Sequence, residues 1–122
     1  ETDLNPQNFE EFLTKYEHQC IMANYDSGNS ASLGYNVKEE LIVLKKWIKN
    51  VHVKDRNLHG GTVPLGMGDT NFEEFFATLS EINYSGDLII QGARNLETKY
   101  EPAQICQLYQ KFVKQYVDKY YI

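Results

Sequence analysis

The sequence predicts an α/β protein in which short parallel strands alternate with amphipathic helices. Short apolar segments recur along the chain as "IMANYD" (21–26), "VHVKD" (51–55) and "DLIIQGAR" (87–94). Segments with helical periodicity separate them, and glycine-containing loops follow the first two. Strands that alternate with helices in this way favour a parallel sheet with right-handed crossovers.

Several segments carry the signals of helices. Their expected starts are Asn5-Pro6, Asn36 with Glu39 three positions later, Thr70 with Glu73 three positions later, and Pro102. The two pairs have the spacing of capping boxes, and a proline is tolerated in the first helical turn. The apolar residues at helical spacing include Phe9, Phe12, Leu13 and Tyr16 in the first segment and Val37, Leu41, Leu44 and Ile48 in the second. We expect "SGNSASLGY" (27–35) to be a loop.

Length and composition indicate a single unit over residues 1–122. Hydrophobic residues make up 42% of the chain, which is enough for a substantial core, and no linker divides it. The 12 basic and 17 acidic residues give a net charge of −5. This balance argues against nucleic acid or an anionic membrane as the main partner.

The number and context of the cysteines indicate the redox state of the cellular compartment. Cys20 and Cys106 lie in different contexts, with no framework of further cysteines. We expect two buried or half-buried thiols in a reducing compartment, and hence a cytoplasmic protein. No apolar run is long enough to span a membrane, since "LIVL" (41–44) is followed by Lys45 and Lys46.

Polar residues lie where the predicted strands end. Glu1 stands before the first helix, Asp26 ends one strand, His52 lies on the next and Gln91 lies on the last. Successive positions are about one β/α unit apart. Because the carboxyl ends of parallel strands meet at one edge of a sheet, these four side chains could project toward one point.

The predicted sheet has too few strands to stand alone. Three strands and the stub of a fourth leave two open parallel edges, whereas a (β/α)8 barrel needs roughly 250 residues. We therefore expect the C-terminal half of a (β/α)8 TIM barrel. The open edges predict a partner, either the missing N-terminal half-barrel or a second copy of the chain. The isolated half should be inactive, because half of the substrate-binding walls would be absent.

Three motifs carry a family resemblance. "NYDSGNSASLGY" (24–35), "VHVKDRNLHGGTVPLGMGDTNFEEFFATL" (51–79) and "GDLIIQGAR" (86–94) follow one another in this order. Together they resemble the C-terminal half of the xylose isomerase-like TIM barrels, and within that superfamily the sugar phosphate isomerase/epimerase group. The resemblance covers nearly the whole chain, and the order and spacing of the motifs make it specific.

The resemblance implies a divalent metal site. The family holds a cation with Glu, Asp, His and Glu from successive strands, and the matching positions here are Glu1, Asp26, His52 and Gln91. Mn²⁺ or Mg²⁺ is the expected cation, with Zn²⁺ or Co²⁺ as alternatives. The implied substrate is a sugar or sugar phosphate, converted through an enediolate with Glu1 as a catalytic base.

Gln91 departs from the family pattern. An amide oxygen can bind a metal, but it cannot accept a proton at neutral pH. The residue therefore argues against a two-base epimerase. It leaves open a one-base isomerase, a lyase and a sugar-binding relative without turnover. An abasic-site endonuclease is less favoured, because such a site needs more histidines than the 3 present.

Four further residues are candidates for binding substrate. Lys54 shares a strand face with His52, and Asp55 could orient its neighbours. The guanidinium groups of Arg56 and Arg94 suit a carboxylate or a phosphate. The residues alone also permit purely structural interpretations. His52 could be a core histidine, Asp26 a turn cap, Gln91 a strand residue without a role in the site, and Lys54 a solvated lysine.

Overall fold

The computed structural model describes residues 1–93 and 100–121. The helices are α1 (Pro6–Lys15), α2 (Ser27–Leu33), α3 (Val37–Leu44), α4 (Phe72–Glu81) and α5 (Pro102–Tyr120), with a 3-10 helix at Glu17–Gln19. The strands are β1 (Ala23–Asp26), β2 (Ile48–Val53), β3 (Asp55–Arg56), β4 (Thr62–Val63) and β5 (Leu88–Ile90). The alternation of strands and helices confirms the predicted α/β class.

Within the described part of the chain, β1, β2 and β5 form a parallel sheet with β2 in the centre. Asp26 at the end of β1 pairs with His52 of β2, and His52 pairs with Ile89 of β5. Paired residues point to the same face of a sheet, so these three side chains share one face. The strands β3 and β4, which follow β2, form a short antiparallel hairpin.

The opposite face of the sheet packs against the helices. Val51 and Val53 flank His52 in β2 and are fully buried, as are Phe75 and Leu79 of α4. Helix α1 contacts α3, α3 contacts α4, and α4 contacts α5, so these helices form a continuous layer. Side chains alternate along a strand, so burying the two valines against the helices turns His52 to the other face of the sheet. This face, which Asp26, His52 and Ile89 share, is called the inner face below.

Residues 27–33 form a helix rather than the predicted loop. Apart from Leu33, helix α2 is built from small and polar residues, and it has no apolar stripe. Caps fix both ends of the helix. Asp26 is the N-cap and accepts a hydrogen bond from the backbone N of Asn29, and Gly34 is the C-cap with a φ of 78°. The Ser27 hydroxyl donates to the backbone O of Lys54 and accepts from its N, which fixes α2 against the end of β2. The loop prediction was wrong because caps, not periodicity, specify this helix.

Two boundaries also differ from the predictions. The N-cap of α4 is Asn71, which accepts from the backbone N of Glu74, whereas the sequence pattern predicts Thr70. The Thr70 hydroxyl instead donates to the carbonyl of Lys54. Ile48, predicted to lie on the second helix, begins β2, because α3 ends before it.

The cysteines correct a further expectation. Cys20 and Cys106 are both exposed and free, not buried. Cys20 follows the 3-10 helix in a left-handed conformation, with a φ of 56°. Neither thiol therefore contributes to the core.

The longest helix is amphipathic. Helix α5 begins with a reciprocal capping box between Glu101 and Gln104. Its Phe112 ring packs edge-on against Phe72 of α4, with the ring centroids 5.0 Å apart. Across residues 1–93 and 100–121, none of the helices combines the length and the apolar character that crossing a membrane requires.

Candidate metal centre

Three predicted ligands come together at the C-terminal ends of β1 and β2. Parallel pairing places Asp26 beside His52, and Glu1 reaches the same point from the segment before α1. Each residue offers one ligand atom, and these atoms lie within 4.8 Å of one another. This is the convergence that the predicted metal site requires.

The spacing of the donor atoms suits one cation. His52 Nδ1 lies 3.3 Å from Glu1 Oε1 and 3.5 Å from Asp26 Oδ2. Donors that share one cation lie about 3.0–3.4 Å apart when each bond is about 2.1 Å long. Two carboxylate oxygens and an imidazole nitrogen suit Mn²⁺, Mg²⁺, Zn²⁺ or Co²⁺ better than a soft ion.

Asp26 supplies a test of whether a cation fits. Its side chain is only 1% exposed, and burial is the main reason that its pKa is raised. Oδ1 accepts the hydrogen bond from Asn29 N that caps α2, whereas Oδ2 has no hydrogen-bond donor among the described residues. A buried carboxylate oxygen without a donor is costly, and a cation at this position would offset that cost. The residues present therefore fit a divalent metal.

Two asparagine amides hold the carboxylate of Glu1. Asn24 Nδ2 donates to Oε1 and Asn29 Nδ2 donates to Oε2, each at 2.7 Å. Asn50 Nδ2 in turn donates to Asn24 Oδ1 at 2.8 Å. Neutral donors orient a carboxylate without cancelling its charge, so Glu1 can still bind a cation or accept a proton. Asn29 and Asn24 both lie in the "NYDSGNSASLGY" motif (24–35), and strand alternation, two positions before Asp26, points to Asn24.

Two basic side chains reach the rim of this cluster. Lys54 Nζ lies 3.8 Å from Asp26 Oδ2 and 3.3 Å from Asn29 Oδ1. Arg56 Nη1 donates to the same Asn29 oxygen at 3.0 Å, and its Nε and Nη2 donate to the carbonyl of Gly60. Two positive charges thus lie around Asn29, where an anionic group of a substrate would be attracted. The substrate contacts of Lys54 and Arg56 stay predictions.

Asp55 has a clear structural role. Its side chain is fully buried, and Oδ2 accepts from the backbone N of Gly66 and of Gly68, each at 2.9 Å. Oδ1 accepts from the backbone N of Thr70 at 3.1 Å. The carboxylate therefore shapes the 64–70 loop, and its orienting role toward the site stays a prediction. Its direct contact with substrate stays a prediction.

The last predicted ligand lies just beyond β5. The backbone N of Gln91 donates to the carbonyl of Val53 and continues the parallel pairing. Alternation from Ile89 places Gln91 on the same face of the sheet as His52, one step nearer the C-terminal edge. Its side chain is exposed, and its membership of the metal site stays a prediction. Arg94 lies outside the described residues.

Comparisons with known proteins identify the family. Residues 2–107 match the family model described as xylose isomerase-like TIM barrel. The chain therefore belongs to the xylose isomerase-like TIM barrel family, which confirms the predicted resemblance. No curated protein sequence is significantly similar to the chain.

A solved structure supports the same fold. A xylose isomerase domain protein from Planctomyces limnophilus superposes with a TM-score of 0.82 at 20% sequence identity. The match covers 98% of this chain and 46% of that protein. The chain thus spans about half the length of this structural relative. At this identity the likeness concerns the fold, and it confirms that the strands and helices form part of a TIM barrel.

Proposed function

We propose that the intact protein is a metal-dependent isomerase or epimerase of a sugar or sugar phosphate that works through an enediolate. The observation that carries the proposal is the meeting of Glu1, Asp26 and His52 at the C-terminal edge of the sheet. Active sites of TIM barrels lie at this edge. Membership of the family supports the same class of reaction.

Glu1, Asp26 and His52 would hold the cation, with the amide oxygen of Gln91 as a fourth donor. Mn²⁺ or Mg²⁺ suits the oxygen-rich set best, and Zn²⁺ or Co²⁺ is also compatible. A bound divalent cation would polarise the carbonyl and hydroxyl oxygens of the substrate.

Glu1 is the catalytic base of the proposal. Its side chain is 39% exposed, whereas that of Asp26 is 1% exposed and cannot approach a substrate carbon. The amides of Asn24 and Asn29 orient both oxygens of Glu1. Gln91 cannot accept a proton, so in an isomerase Glu1 would remove the proton from one carbon and return it to the neighbouring carbon. A water or a neighbouring group would relay the hydroxyl proton from one substrate oxygen to the other. Lys54 and Arg56 would bind an anionic group of the substrate.

A second candidate is a sugar-binding relative without turnover. Gln91 favours it, because the position lacks the base that the family pattern places there. The described residues show no cluster of ligands beyond Glu1, Asp26 and His52, and so nothing favours the endonuclease alternative.

Solvent-proton exchange separates the two candidates. The intact Mn²⁺-loaded protein should exchange deuterium from D₂O into the carbon-bound hydrogens of at least one sugar or sugar phosphate. Glu1→Gln should abolish the exchange. Exchange that appears only in Gln91→Glu would instead identify the natural protein as a binding relative.

The described sheet also needs further strands. Strands β1 and β5 each pair only with β2 in the described part of the chain. The missing N-terminal half-barrel or a second copy of the chain would cover these edges and supply the rest of the substrate-binding surface. We therefore expect the chain to be inactive alone.

A further inference from the structure

A buried carboxylate lies behind the metal centre and takes no part in the proposed chemistry. Glu40 of α3 is 5% exposed and forms no ion pair with a basic side chain of the described residues. Its Oε2 accepts from the Tyr25 hydroxyl and its Oε1 from the Ser30 hydroxyl, each at 2.9 Å. Burial raises the pKa of Glu40 to about 7. Such a group is costly to place in a core, which indicates a role other than packing.

The two donors to Glu40 lie on either side of Asp26. Tyr25 immediately precedes Asp26 in β1, and Ser30 follows in the first turns of α2, the helix that Asp26 caps. Tyr25 is itself buried and stacks on the ring of Phe75. The Glu40 carboxylate therefore forms hydrogen bonds both to β1, which ends at Asp26, and to α2, which begins after it.

Glu40 also lies close to the ligands in space. A small cavity of about 30 Å³ is lined by Glu1, Asp26, Ser30 and Glu40. A displacement of Ser30 or Tyr25 would therefore shift the side chains of the candidate ligands that line the same cavity. Since Asp26 must keep Oδ1 on α2 and Oδ2 toward His52, its position depends on how firmly the junction of β1 and α2 is held.

We propose that Glu40 is a positioning residue for the metal centre, because it clamps the junction of β1 and α2 from both sides of Asp26. The inference rests on the proposed function for the metal alone and is independent of the substrate. Groups hydrogen-bonded directly to metal ligands commonly change metal affinity by about 10–100-fold when they are removed, and Glu40, one residue further from the ligands, should lie at the low end of this range.

Mn²⁺ titration of three proteins tests the proposal. Glu40→Leu removes both acceptors, and its dissociation constant for Mn²⁺ should rise about 10-fold over that of the wild type. Glu40→Gln can accept one hydrogen bond and donate the other, so its affinity should stay within about 3-fold. The electron paramagnetic resonance spectrum of bound Mn²⁺ should change in Glu40→Leu and not in Glu40→Gln.

Two further variants control for folding. Val113→Ala empties part of the core in α5, far in sequence from the site, and should lower stability by about 1–3 kcal/mol without changing the Mn²⁺ affinity. Ser30→Ala removes one hydrogen bond to Glu40 and should weaken Mn²⁺ binding about 3-fold. It keeps the test valid if Glu40→Leu does not fold.

The outcomes separate the two proposals. If the wild type binds Mn²⁺ and both Glu40→Leu and Ser30→Ala bind it equally well, the positioning role is overturned and the metal site stands. If Glu40→Gln loses affinity as strongly as Glu40→Leu, the hydrogen-bonding argument is overturned. If the wild type binds no Mn²⁺, the proposed function fails together with this inference.

Discussion

At the scale of single residues, the two carboxylate oxygens of Asp26 have different roles. Oδ1 caps α2, and Oδ2 faces His52 without a hydrogen-bond donor among the described residues. The sequence permits either a cap or a ligand at this position, and the fold supports both at once. Sequence alone could not reveal this, because the division depends on the side-chain conformation that the start of α2 imposes.

Glu40 should make the chain less stable as the pH rises. Burial raises its pKa from an ordinary 4.5 to about 7, so the folded chain keeps a proton that the unfolded chain has lost. The stabilisation is complete below about pH 4.5 and is lost as the pH approaches about 7. Between pH 5 and pH 8 the loss amounts to roughly 2–3 kcal/mol.

Urea unfolding at pH 5 and pH 8 measures this loss. Glu40→Gln should remove most of the difference that the wild type shows, whereas Glu11→Gln, on an exposed face of α1, should behave like the wild type. Asp26, whose pKa is also raised, contributes equally in all three proteins and cancels in the comparison. The same pH dependence in the wild type and in Glu40→Gln would contradict the assignment.

At the scale of elements, the 64–70 loop depends on Asp55 and on the glycine that packs against it. A Cβ at Gly68 would clash with the Asp55 carboxylate and lie 2.8 Å from the backbone O of Arg56. Gly68→Ala should therefore lower the free energy of unfolding by about 2–4 kcal/mol, because a buried, hydrogen-bonded carboxylate must move.

Gly61 offers a matched control in the same region. A Cβ there would meet nothing within 4 Å, so Gly61→Ala should change stability by less than about 1 kcal/mol. Thermal unfolding of the two variants beside the wild type gives the comparison. Equal stability of Gly68→Ala and Gly61→Ala would show that Asp55 does not fix this loop.

The elements that the sequence predicts are those with strong periodicity or with prolines and caps at their starts. Helix α1 begins at Pro6 after the Asn5 cap, and α4 carries the expected apolar stripe. Helix α2 was not predicted because its six small or polar residues and the single apolar Leu33 leave no periodic signal. The hairpin of β3 and β4 escaped because two-residue strands are too short to show alternation.

At the scale of the whole molecule, the sheet has two edges that another part of a barrel would cover. Ile89 on the inner face is 44% exposed, which is unusual for an isoleucine in a central layer. The number of strands and the order of the motifs predict part of a TIM barrel from the sequence, and the structural match confirms this. The three candidate ligands follow from strand-end spacing and the family resemblance, and strand alternation points to Asn24. Asn50 and Glu40 depend on tertiary contacts that no local pattern encodes.

The open edges should make the chain associate in solution. Unpaired backbone groups and the exposed Ile89 favour pairing with a second copy when the chain is produced alone. Light scattering after gel filtration should give a mass above 14.2 kDa. A stable monomer of that mass at micromolar concentration would contradict the expected pairing.

The most direct measurement is the anomalous scattering of Mn²⁺ in crystals of the chain. One peak should lie about 2.0–2.3 Å from a carboxylate oxygen of Glu1, from Asp26 Oδ2 and from a ring nitrogen of His52. Crystals of Asp26→Asn, which keeps the cap of α2 and loses the charge, should show no such peak. A wild-type peak located elsewhere, or none at a saturating concentration of Mn²⁺, would contradict the claim that these three residues share one cation.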